Sequence, residues 1–219
     1  MLLEQLRTEV IVYSNRMIAK GLTRGTGGNI SCIDRTTGLV AITPSGVAYD
    51  KMKPEDVPLI DLNGKVRHGD LVPSSEFDMH LACYQARADV QAVVHTHSTY
   101  ATVMACLRKP IEAIHYLVGF AGGPVSVTPY LVFGTKKLAQ AAVETMGERN
   151  AVLLGNHGLL AVGKDLGSAF NVAEEIEFVA ELNYKTLCVG GGIHIEEALM
   201  KETMEKFDTY GQVKETSAV

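Results

Sequence analysis

Gln91-Ala92-Val93-Val94-His95-Thr96-His97-Ser98 is the stretch that decides how this chain is read. Its apolar start reads as a buried strand. Alternate residues of a strand point to one face, so His95 and His97 can approach a single metal ion from a rigid edge. A third histidine, in Gly155-Asn156-His157-Gly158, again follows an apolar run, Ala151 to Leu154, that reads as a buried strand. Three neutral imidazoles at strand ends suit a catalytic zinc site, which takes three protein ligands and leaves a position open. The alternative is that these are ordinary polar residues where a sheet gives way to loop. His157, in the same local context as the pair, weighs for the metal.

Outward from that centre the chain alternates helical and extended patterns. Residues 2–20 place Leu3, Leu6, Val10, Tyr13, Met17 and Ile18 at helical spacing, with Gly21 as the stop. Short strands are expected over 29–33 and 39–43. A hairpin spans 57–67, because Asn63-Gly64 is the dipeptide a tight turn prefers. Ser75-Glu76-Phe77-Asp78 reads as a helix start with a capping residue and early acids, running to about Arg87. Beyond the histidine pair come a helix over 99–107, a strand near 125–128, a helix over 136–146, and the strand before His157. A near-continuous turn of chain then reaches Val162, followed by a long helix over 166–187 and a last one over 196–207. Such alternation predicts a sheet covered by helices on both faces, and the early hairpin argues against an all-parallel sheet.

Composition narrows the function. The chain has 219 residues, 47% of them hydrophobic and 21% charged, which fits one globular domain over 1–219. A C-terminal tail from about 208 is also expected. A net charge of −5 without a lysine/arginine cluster argues against a nucleic-acid surface. An anionic substrate stays open, since a metal and backbone N–H groups can make one pocket positive inside an acidic protein. Cys32, Cys83, Cys106 and Cys188 lie in apolar segments without CxxC spacing, which predicts buried thiols in a reducing compartment. No stretch approaches the roughly 20 apolar residues of a membrane span. A cytoplasmic protein is the expectation.

Three further segments could seat an anion. Gly25-Thr26-Gly27-Gly28-Asn29 allows close backbone approach, so that several N–H groups can converge, or it is simply a flexible turn. It is no dinucleotide fingerprint, since it follows a helix and precedes a strand, and no Walker lysine follows. Pro73-Ser74-Ser75-Glu76 offers two hydroxyls and the first N–H groups of a helix, or plain helix capping. Thr43-Pro44-Ser45-Gly46 would make a third wall, or a simple turn.

Taken together, GTGGNIS (25–31), ITPSG (42–46), PSSEFDMH (73–80), VVHTHS (93–98), IHYLVGFAGG (114–123) and LLGNHGLLAVG (153–163) give an ordered set. In order and spacing it resembles the class II aldolase/epimerase family, typified by L-fuculose-1-phosphate aldolase and L-ribulose-5-phosphate 4-epimerase. The resemblance covers essentially the whole chain and is strongest to the fuculose-phosphate aldolase branch. It implies an α/β fold, a three-layer α/β/α arrangement with a mixed, mostly antiparallel central sheet. It also implies a homotetramer with active sites at subunit interfaces.

The same resemblance implies roles. His95, His97 and His157 would hold Zn²⁺, with Glu76 as a further ligand and as general acid/base. Gly28, Asn29, Thr43, Ser45, Gly46, Ser74 and Ser75 would surround the phosphate of a ketose 1-phosphate. Tyr116, from a neighbouring subunit, and Tyr210 would serve the aldehyde end. The implied reaction is reversible cleavage of L-fuculose 1-phosphate to dihydroxyacetone phosphate and L-lactaldehyde. A 4-epimerase or sugar-phosphate dehydratase would use the same zinc and phosphate motifs. A scaffold module would have lost the ligands, but all three histidines and Glu76 are present. Without the resemblance, Tyr116 reads as a core or interface aromatic, and Glu76 as an acid favoured by the helix dipole.

Overall fold

The computed structural model describes residues 1–207. Its chain order is helix α1 (Glu4–Ala19), strands β1 (Asn29–Asp34), β2 (Leu39–Ile42), β3 (Leu59–Asp61) and β4 (Val66–His68), helix α2 (Phe77–Ala86) and strand β5 (Ala92–Thr96). Helices α3 (Thr99–Leu107) and α4 (Lys136–Met146), strands β6 (Ala151–Leu154) and β7 (Gly158–Gly163), and helices α5 (Leu166–Leu187) and α6 (Glu197–Phe207) complete it. The strands form one sheet in the order β4-β3-β2-β1-β5-β7-β6. Every pairing between these strands is antiparallel, and an isolated bridge from Val127 to Leu153 is parallel.

The period-2 alternation of the strands divides the core in two. Ala92 and Val94 of β5, with Leu159 and Ala161 of β7, join a cluster that includes Val10 of α1, Ala101 of α3 and Phe170 of α5. Val93, Leu160 and Val162 point the other way, into a cluster with Met79 and Tyr84 of α2 and Leu138 and Ala142 of α4. The sheet is therefore the middle layer of three. α5 buries Ala169, Phe170, Ala173, Ile176 and Ala180 at three- and four-residue spacing, and each large apolar side chain fully buried contributes about 1.5–3 kcal/mol.

The expected strand near 125–128 is not one. Val125 and Val127 make only isolated bridges, to Ile111 and Leu153, so this segment runs along the sheet edge without a continuous ladder. The stretch to Val162, expected as a turn of chain, is instead β7, which pairs with both β5 and β6 and fills the gap between them. Its continuous apolar run gave no alternation because both of its faces are buried. The thiols also differ from expectation. Cys32 and Cys83 are buried, but Cys106 and Cys188 are exposed at the outer ends of α3 and α5. No described helix is long and apolar enough to cross a membrane.

Candidate metal centre and active-site cavity

His95 lies on β5 and His97 one residue beyond its end, both on the face that carries Val93 and looks toward α2. His157 occupies the turn between β6 and β7, and Glu76 is the residue that opens α2. Their ligand atoms all lie within 4.8 Å of one another. His95 Nε2 is 3.0 Å from His97 Nε2, 3.2 Å from His157 Nε2 and 3.4 Å from Glu76 Oε2. A tetrahedron of donors about 2.0–2.1 Å from a zinc ion has edges of about 3.3 Å, and the three distances from His95 match such an edge.

The protonation pattern points the same way. His95 Nδ1 sits 2.9 Å from the carbonyl oxygen of Leu159, and a carbonyl only accepts, so Nδ1 carries the proton and Nε2 offers a bare lone pair. Burial pushes His95 well below the ordinary histidine value, with His157 and His97 adding to it against the opposing pull of Glu76. Burial, then His157, likewise lowers His97. Burial alone would raise the Glu76 carboxyl; the neighbouring imidazoles and the Asn29 amide overcome it and hold the group below the usual carboxylate range. One oxygen of Glu76, Oε1, is buried 3.2 Å from His157 Nε2 without making a hydrogen bond. The bare Nε2 of His95 thus faces His97 Nε2, His157 Nε2 and the Glu76 carboxylate at close range, an arrangement that a cation between them would stabilise. One carboxylate and three imidazoles are a donor set that fits zinc.

The scaffold around the four residues is tight. Gly28 adopts φ +67°, and a Cβ there would stand 2.6 Å from the His95 carbonyl oxygen, so the glycine run lets the chain press against β5. The turn carrying His157 is fixed by Asn156, itself at φ 55°, whose Oδ1 accepts from Arg108 Nε at 2.6 Å. Thr128 Oγ1 accepts from Gly155 N at 3.1 Å on the other side of the turn.

A cavity of about 510 Å³ opens beside this cluster. Its polar wall includes Thr26, Ser45, Ser74 and Ser75, with Gly27, Gly28 and Gly46 exposing backbone; Tyr130, Leu131 and Phe133 supply apolar surface. Glu76, His97 and His157 reach the same space. Hydroxyls, backbone and a metal-type cluster around one cavity can bind an anion at one end and polarise oxygens at the other.

The family model for the Class II Aldolase and Adducin N-terminal domain matches residues 8–184. The chain belongs to this family. Among relatives of this class II aldolase, the 5-deoxy-D-ribulose 1-phosphate aldolase of Bacillus thuringiensis serovar kurstaki (strain ATCC 35866 / NRRL B-4488 / HD73) is 50% identical over 212 residues, covering 97% of this chain and 100% of that protein. The L-fuculose phosphate aldolase of Escherichia coli O6:H1 is 38% identical over 209 residues, 94% of this chain and 96% of that one. A solved structure of an L-fuculose 1-phosphate aldolase superposes with a TM-score of 0.91 at 44% identity, covering 93% of this chain and 96% of the other. Class II aldolases are zinc-dependent, and the Glu76, His95, His97 and His157 cluster of this one could bind the metal.

Of the residues expected at the phosphate, Gly28, Asn29, Ser45, Gly46, Ser74 and Ser75 line the cavity of this aldolase. Thr43 does not. It is fully buried, and its hydroxyl accepts from Ile30 N at 3.3 Å, inside the sheet. The Asn29 amide is engaged elsewhere than expected, because its Nδ2 donates to Glu76 Oε2 at 2.9 Å. The expected side-chain cap of α2 is absent too; Ser74 Oγ instead accepts from Glu76 N at 3.3 Å. Tyr116 begins a 3-10 turn (Tyr116–Ala121), is about half exposed, and does not line this cavity. Tyr210 lies outside the described residues. Sequence reasoning missed Tyr130, Phe133, Asn156 and Arg108; they lie on irregular chain or at helix ends, where no period marks them.

Proposed function

We propose that this chain is a zinc-dependent aldolase that reversibly cleaves a ketose 1-phosphate to dihydroxyacetone phosphate and a short aldehyde. The observation that carries this reading is the convergence of Glu76, His95, His97 and His157 beside a cavity walled by hydroxyls. The substrate we favour is a terminally deoxygenated ketose 1-phosphate. Relatives named for 5-deoxy-D-ribulose 1-phosphate and for L-fuculose 1-phosphate share that feature: each sugar ends in a methyl group. Tyr130, Leu131 and Phe133 supply apolar surface that suits the methyl end. The higher identity favours the five-carbon sugar, whose cleavage product is acetaldehyde, over L-fuculose 1-phosphate, whose product is L-lactaldehyde.

In this reading His95, His97 and His157 would hold the metal, with Glu76 as a further ligand. Bound zinc would supply Lewis-acid stabilisation of the negative charge that develops on the substrate's oxygens. Glu76, held ionised, takes the proton from C3 of dihydroxyacetone phosphate in the condensation direction and returns it after cleavage. The N–H groups and hydroxyls around Gly28, Ser45, Gly46, Ser74 and Ser75 bind the phosphate. Tyr116 donates the proton that the C4 oxygen needs, acting in the cavity of a neighbouring copy. Tyr116 is about half exposed and absent from the cavity of its own chain, which supports that placement. A cytoplasmic homotetramer of single-domain subunits is the assembly we propose with it. Tyr210 remains the second candidate at the aldehyde end.

The test is a panel of 5-deoxy-D-ribulose 1-phosphate, L-fuculose 1-phosphate, L-rhamnulose 1-phosphate and L-ribulose 5-phosphate, each incubated with zinc-loaded protein. Release of dihydroxyacetone phosphate, fastest from the first, is expected. Conversion of L-ribulose 5-phosphate to D-xylulose 5-phosphate without cleavage of the others would establish an epimerase instead. Loss of water without carbon–carbon cleavage would establish a dehydratase.

A further inference from the structure

Behind Glu76 runs a buried ladder of side chains that none of the chemistry above requires. Glu76, His80 and Tyr84 recur every four residues from the start of α2, while Asn29 and Ser31 alternate along β1 on the facing side of the sheet. Four helical residues rise about 6.0 Å and two strand residues about 6.6–6.8 Å, so the two rows match in pitch and can interdigitate. They do. Asn29 Nδ2 donates to Glu76 Oε2 at 2.9 Å, and Asn29 Oδ1 lies 2.5 Å from His80 Nε2. Ser31 Oγ lies 2.7 Å from His80 Nδ1 and 2.6 Å from the Tyr84 hydroxyl. His80 and Ser31 are completely buried, and Tyr84 is 2% exposed.

The proton bookkeeping of this ladder has one solution with a neutral histidine. Asn29 presents its NH₂ to the carboxylate, so its oxygen must accept from His80 Nε2–H. His80 Nδ1 then accepts from Ser31, and Ser31 accepts from Tyr84. Every donor points toward Glu76. Burial drives His80 down to about 4 against the opposing pull of Glu76, and raises Tyr84 well above its ordinary value, so both stay neutral over the working range. The far end is closed to water, so the ladder does not carry protons in or out.

We propose that His80, backed by Ser31 and Tyr84, is a positioning residue that locks the Asn29 amide in the orientation that holds the Glu76 carboxylate. A flipped Asn29 would set its oxygen against Glu76 and its NH₂ against the Nε2–H of His80. Two repulsions replace two hydrogen bonds, and the base loses its fixed direction. This inference rests on the assignment of Glu76 as the base.

The experiment compares His80→Phe, which fills the space without a donor, with His80→Gln, whose amide can replace the Nε2–H. His80→Phe should lower kcat by roughly 10- to 100-fold, the range typical of outer-shell partners, with KM for the ketose phosphate within about twofold of wild type. His80→Gln should recover most of that loss. If His80→Phe does not fold, Tyr84→Phe, which removes a single hydroxyl, should lower kcat a few-fold and leave KM unmoved. A readout independent of turnover is the ¹⁵N NMR spectrum of His80 in metal-free protein, which should show the neutral Nε2–H tautomer. The Nδ1–H tautomer, wild-type kcat in His80→Phe or in Tyr84→Phe, or equal damage from the Phe and Gln variants of His80 would overturn the proposal. If wild-type protein cleaves no ketose phosphate, the aldolase reading fails while the ¹⁵N result still decides the ladder.

Discussion

His95 gives its Nδ1 proton to the carbonyl of Leu159 at 2.9 Å, and that one bond aims its other nitrogen at His97, His157 and Glu76. The imidazole that β5 brings to the cluster thus has its tautomer set by the neighbouring strand β7. His97, at the loop end of β5, has less of its ring committed to the core. His97→Ala should therefore leave the melting temperature of metal-free protein nearly unchanged. It should weaken zinc binding by more than the roughly 10- to 100-fold that an outer-shell partner costs. Competitive zinc titration and calorimetry on one preparation check both halves.

Gly158 tests the packing behind the ligands. A Cβ there would press into the Thr96 carbonyl oxygen and stand 3.1 Å from His97 Cδ2 and 3.3 Å from His95 Cε1. Gly158→Ala must spread β5 from β7, at a cost of about 1–3 kcal/mol, as for other overpacked sites. Zinc affinity should fall together with thermal stability. A variant with full stability and unchanged zinc affinity would show that the strands are not held this closely.

The phosphate seat is tested by Ser75→Ala. Loss of one hydrogen bond to a charged oxygen should weaken binding by roughly 1.5–3 kcal/mol, raising KM for a phosphorylated ketose about 10- to 100-fold. The unphosphorylated analogue should be affected far less. Equal effects on both would remove Ser75 from the seat.

The legible part of the site followed from period. His95 and His97, two apart on a strand, and His157 after a second apolar run were visible as a potential cluster because strand geometry alone brings such pairs to one face. β7 was not legible as a strand, since its Leu159-Leu160-Ala161-Val162 run, buried on both sides, has no alternation to read. The expected strand at 125–128 failed for the opposite reason: Val125 and Val127 alternate, but the segment finds only single bridges at the sheet edge. Asn29 carried a glycine-rich context that suggested phosphate. Its contact with Glu76 depends on the match in pitch between β1 and α2, which appears only once the two are packed.

Acid sensitivity follows from His80. Its folded value lies near 4 and its ordinary value at 6.5, so the unfolded chain binds the proton first as pH falls. The stability it confers is complete above about 6.5 and is lost progressively as pH falls through about 4, by about 3 kcal/mol in all. Denaturant unfolding of metal-free protein between pH 7 and pH 4 should decline more steeply for wild type than for His80→Gln. Parallel curves would mean that His80 is not buried in its neutral form.

Proton exchange into dihydroxyacetone phosphate in deuterated water, followed by NMR with no aldehyde present, isolates the step assigned to Glu76. Zinc-loaded wild-type protein should exchange a C3 proton; Glu76→Gln should keep its zinc on three histidines yet exchange roughly 10²- to 10⁴-fold more slowly. Exchange at the wild-type rate by a zinc-loaded Glu76→Gln variant would contradict the assignment of Glu76 as the base at this metal centre.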